Sequence, residues 1–95
     1  MKNLTIIKAD GTTEKSETKG KPSLEFLQKT VGGLIQPVPH FTKYEGHKAI
    51  MYCNEEGLLH DLPKNGRATE LWKAILGKGP FWYEPEVFGD VIIVH

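Results

Sequence analysis

Asp90-Val91-Ile92-Ile93-Val94 is the stretch on which the fold turns. Its β-branched residues run together without the apolar–polar alternation of a half-solvated strand, so it reads as a central strand covered on both faces. A central strand needs neighbours. Lys48 to Cys53 is the best strand in the chain, and Leu4 to Ala9 reads as another, closed by the turn pair Asp10-Gly11. Leu34 to Val38 is a fourth, but Pro37 and Pro39 lack backbone donors and confine it to an edge or an early end. Thr12 to Lys21 is polar throughout and fits either an exposed edge strand or a loop. Leu58 to Leu62 reads as a short pairing strand, and Phe41 to Gly46 as a loop carrying two aromatics.

Two helices interrupt these strands. Ser23 caps the first, Leu24, Leu27 and Val31 give it one inward stripe with Phe26 beside it, and Gly32-Gly33 ends it. The second runs over Ala68 to Leu76, with Leu71, Trp72 and Ile75 inward and Gly77 closing it. The fold class is α+β, a small mixed sheet of four or five strands with two short helices, in one domain over residues 1–95.

Composition narrows the function. Twelve Lys plus Arg balance twelve Asp plus Glu. A binder of nucleic acid polymer draws its affinity from a basic excess, which is missing. Eleven of the twelve cations are lysines and one is Arg67, the only planar fork for a phosphate or carboxylate. The single cysteine, Cys53, forms no internal disulfide and reads as an inert strand thiol, and no apolar run reaches signal-peptide or membrane-spanning length. The expectation is a cytoplasmic protein without membrane attachment. With 95 residues and 39% hydrophobic content the core is small, so a homo-oligomer is expected.

Three groups of residues carry candidate chemistry. In Leu62-Pro63-Lys64-Asn65-Gly66-Arg67-Ala68-Thr69, free backbone N–H groups at a helix start lie beside Arg67, an arrangement suited to a phosphate. The plainer account has Asn65 or Thr69 capping the helix and Arg67 pairing with Glu70. It is no Walker loop, since the spaced glycines are missing. In Asn54-Glu55-Glu56-Gly57 the two acids read as solvated turn residues, without calcium-loop spacing. The aromatic run Phe81-Trp82-Tyr83 has more ring surface than one face of an extended segment can bury, which leaves Trp82 or Tyr83 for a ligand or partner. The plainer account is a small cluster folded over the sheet. His40, His47, His60 and His95 have no zinc-helix spacing, so no metal is expected. His60-Asp61 is the one base–acid pair, and no nucleophile turn accompanies it.

Val31-Gly32-Gly33, Asn54-Glu55-Glu56-Gly57 and Leu62-Pro63-Lys64-Asn65-Gly66-Arg67-Ala68-Thr69 occur in an order and spacing that resemble a family of small proteins of unknown function found in bacteriophage genomes and prophages. The resemblance runs from about Leu24 to Val94. Phe41 to His47 looks longer than the family's loop, and Lys73 to Phe88 reads as an insertion before the last strand. The resemblance implies a phage accessory protein of the host cytoplasm. It implies no reaction and no cofactor. The expectation built on it is a non-enzymatic protein that sequesters a small phosphorylated ligand, such as a nucleotide signal of antiviral defence. Asn65, Arg67 and Thr69 would hold the ligand, with Trp82 and Tyr83 stacking on a base. The alternative is an inhibitor of a host protein acting through the Phe81 to Tyr83 surface.

Overall fold

A computed structural model describes residues 2–56, 61–77 and 86–95. Among these residues seven strands and two helices follow in the order β1 (Lys2–Ile7), β2 (Thr13–Thr18), α1 (Leu24–Val31), β3 (Ile35–Pro37), β4 (Lys43–Tyr44), β5 (His47–Lys48), β6 (Ile50–Asn54), α2 (Gly66–Leu76) and β7 (Val91–Val94). Five strands form one sheet in the order β2-β1-β7-β6-β3, and β4 pairs with β5 apart from it. The α+β class, five-strand sheet and two helices are as read from the sequence. The pairings among the described residues are antiparallel throughout, where a mixed sheet was expected. The chain path explains this. α1 carries the chain from one sheet edge, β2, to the other, β3, so the two strands that it links are never neighbours.

β7 lies at the centre, bonded to β1 on one side and β6 on the other, as its unbroken apolar run requires. Its side chains alternate between two cores. Val91 and Ile93 join Ile7, Met51, Ala68, Trp72 and Val87 on the α2 face, while Ile92 joins Leu4, Leu27 and Val31 on the α1 face. Ile92 and Ile93 are both fully buried, each contributing about 1.5–3 kcal/mol of apolar burial.

α1 starts where Ser23 Oγ accepts the Phe26 N–H at 3.1 Å and ends at Gly32, whose φ of 81° is the left-handed closure that the sequence predicted. Its inward stripe is shorter than the spacing implied. Leu27 and Val31 are buried, but Leu24, the first residue of the helix, is 59% exposed.

Thr12 to Lys21 resolves into the edge strand β2. Phe41 to Gly46 holds more structure than a loop: β4 and β5 form a hairpin closed by Glu45 and Gly46, with φ of 50° and 80°. Two successive positive φ values match the strand twist of a two-residue hairpin. Phe41 and Tyr44, the two aromatics of that segment, are buried in the α2-face core. Among the described residues no helix is long and apolar enough to cross a membrane.

Candidate functional site

Asn65 sits at the junction between the Pro63 turn and α2, with its side chain turned into the protein. Its Oδ1 accepts the Ala68 N–H at 3.0 Å, which caps the helix. Its Nδ2 donates to the carbonyls of Ile7 and Gly89, both at 2.9 Å. Its backbone N–H donates to the Val87 carbonyl at 2.7 Å. One turn on, Thr69 Oγ1 accepts the Val87 N–H at 3.0 Å. Asn65 and Thr69 are thus 0% and 1% exposed, and they fasten the start of α2 to β1 and to the segment entering β7.

Arg67 points the other way. It is exposed and makes no ion pair with Glu70 or any other described carboxylate. The structure therefore separates the three candidates from this motif, leaving Arg67 alone at the surface. Trp82 and Tyr83, like Phe81 and His60, lie outside the described residues. Asp61, the acid of the His60-Asp61 pair, is exposed in a turn with φ of 50°. Asn54 caps its own turn, accepting the Glu56 N–H at 2.8 Å and donating to the Val31 carbonyl at 3.2 Å. Cys53 Sγ donates to the Gln36 carbonyl at 3.5 Å, and burial pushes its thiol pKa up, as suits an inert thiol. Among the described residues no three His, Cys, Asp or Glu side chains gather as metal ligands.

A different concavity has the make-up of a ligand site. α1 is only eight residues long, and it covers part of the sheet face beneath it. Beside it, at the end of the sheet where β1 begins and β7 finishes, a cleft of about 510 Å³ opens. Its volume is in the range of small-molecule pockets. Leu27, Phe41, Ile50, Tyr52 and Val94 make an apolar wall. Three lysines, Lys2, Lys21 and Lys48, line it as well, and among the described residues no carboxylate does. None of the three makes an ion pair with a described acid. In a chain of zero net charge this concentrates positive potential over an apolar surface.

The sequence reading missed this cleft. Its lysines come from three segments that meet only once the sheet is paired, and lysine alone is an ordinary surface residue. The one local signal is in β6, where Ile50 and Tyr52 alternate with the buried Met51 and so belong to the opposite face.

The chain belongs to the family described as Domain of unknown function (DUF3846), whose model matches residues 1–95. No curated protein and no solved structure matches it.

Proposed function

Starting from a family whose description assigns no activity, we propose that this protein binds a small phosphorylated ligand with an aromatic ring, of the nucleotide class, and does not transform it. The observation that carries this reading is the cleft beside α1, apolar along one wall, lined by Lys2, Lys21 and Lys48, and without a carboxylate among its described residues. A planar ring matches the Ile50 and Tyr52 surface, and lysines supply charge-assisted donors to phosphate oxygens. Sequestration of a nucleotide signal of host antiviral defence is the proposed setting, and it rests on the phage resemblance of the motif order alone. Inhibition of a host protein through Phe81 to Tyr83 has no described residue to support it.

Calorimetry against linear and cyclic nucleotides tests the reading. Wild-type protein binds at least one, with affinity that falls as salt rises. Lys21→Glu and Lys48→Glu each weaken that binding by about 1–2 kcal/mol, close to tenfold. Arg67→Lys leaves it unchanged. If no nucleotide binds, the ligand class is wrong. If Arg67→Lys abolishes binding while the lysine variants keep it, the site is the start of α2 and not the cleft.

A further inference from the structure

β2 ends the sheet, and the direction of its free backbone groups can be deduced. It pairs with β1 along all six residues without a bulge, carries no proline, and is exposed over five of the six. The opposite edge, β3, is three residues long and ends at Pro37. A regular edge with unmet N–H and C=O groups is a template for another strand.

Asn3 and His95 exchange both backbone bonds between β1 and the end of β7, at 2.8 and 2.9 Å, so Asn3 is turned away from β2. Lys8 N–H donates to the Thr12 carbonyl at 2.8 Å, so Lys8 is turned towards the β2 side. Bonding alternates along an antiparallel pair. With Asn3 opposite Glu17 and Leu4 opposite Ser16, Glu14, Ser16 and Thr18 direct their backbone groups at β1, while Thr13, Lys15 and Glu17 direct theirs into solvent.

A second copy of β2 can pair with this edge antiparallel only if bonded partners both come from the outward set. Two-fold registers centred on Lys15 or on Ser16 satisfy this and keep residues 13–17 or 14–18 of the strand paired, whereas one centred on Glu17 keeps only residues 16–18. Centred on Lys15, the register sets Lys15 against itself. Centred on Glu17, it sets Glu17 against itself. Centred on Ser16, it places Lys15 opposite Glu17 of the second copy, twice, with the two Ser16 residues facing at the dyad. Opposite charges across a pair stabilise a sheet and like charges destabilise it, so side-chain charge selects the register centred on Ser16.

We propose that the protein dimerises by pairing β2 antiparallel to β2 of a second copy, in the register centred on Ser16. The α1 face supplies further apolar surface. Phe26, 40% exposed, borders a shallow concavity together with Ser16, Thr18 and Pro22. The two-fold brings the second copy's β2 edge and its Phe26 up to this concavity. Lys15 also meets Glu45 at 3.3 Å, but both side chains are more than half exposed and the lysine remains within reach of a cross-strand acid.

Sedimentation equilibrium across micromolar concentrations returns twice the 10.7 kDa chain mass for wild type. Glu17→Lys weakens the dimer by about tenfold or more, and Lys15→Glu combined with Glu17→Lys restores it, because the reversed pair is again complementary. Under mild oxidation Ser16→Cys forms an intermolecular disulfide, while Thr13→Cys, which faces no copy of itself, does not. The wild type, with half-buried Cys53, is the control. A mass of 10.7 kDa at every concentration overturns the proposal. So does a dimer indifferent to both charge variants, or one that cross-links through Thr13→Cys and not Ser16→Cys.

Discussion

At Asn65 one amide has two roles, and a substitution can separate them. The carbonyl end caps α2, while the NH₂ end satisfies two carbonyls, 58 and 24 positions away in sequence, at Ile7 and Gly89. Aspartate is as good a cap as asparagine, but it has no donor for those carbonyls when ionised. We therefore expect Asn65→Asp to destabilise the fold at neutral pH by about 3–5 kcal/mol, the sum of two orphaned buried carbonyls and a misplaced charge. Burial against carbonyl oxygens raises the folded-state pKa of the new carboxyl above its unfolded value near 3.9. The unfolded chain then loses its proton first as pH rises, so the penalty grows above about pH 4 and is relieved below it. Denaturant titrations at pH 7 and pH 4 check this. A variant as stable as wild type at pH 7 would return Asn65 to the status of an ordinary cap. The capping role was legible in the sequence, since Asn65 precedes a helical run. Its other partners were not, because nothing local to Ile7 or Gly89 marks a carbonyl that needs a donor.

Between neighbouring elements, α1 shows what periodicity reveals and what it leaves open. Leu24, Leu27 and Val31 share a stripe, and spacing gives each of them equal claim to the core. Only tertiary packing decides how far that core extends, and Leu24 lies outside it. Leu27→Ala should cost about 2–4 kcal/mol, as a cavity against Ile92 and Leu4, whereas Leu24→Ala should cost less than about 1 kcal/mol. Equal losses in urea titrations would mean that the helix start is packed after all. The β4–β5 hairpin went unread for a related reason. Glu45-Gly46 lacks the Asn-Gly or Asp-Gly signature of a two-residue turn, and strands of two residues have no period to detect. The lysine-lined cleft is harder still to see in one dimension, because Lys2, Lys21 and Lys48 become neighbours only through the pairing of β1 and the seating of α1.

Across the whole molecule, two cores share one sheet, and β7 contributes to both. Val91 and Ile93 on one face and Ile92 on the other cannot leave their cores separately. The expected outcome is a single cooperative unfolding transition. In hydrogen exchange, the bonded amides of β1, β6 and β7 should be slowest, all at the global stability, while β2 in the monomer and the β4–β5 hairpin exchange faster. Amides of β1 protected markedly less than those of β6 would show that the two cores open independently.

The strand order has a further consequence for synthesis. β1 pairs with β2 and β3 pairs with β6, but the two strand pairs become one sheet only when β7 lies between them. β7 is also the last of these elements to emerge from a ribosome. At about 5–20 residues per second, the nascent chain carries two half-sheets with unmet inner edges for several seconds before the strand that joins them exists. During that interval Leu4, Ile7 and Met51 have no Ile92 or Ile93 to pack against. A chaperone that shields an apolar edge would therefore have its main substrate here before translation of β7, and little to hold once it has been made.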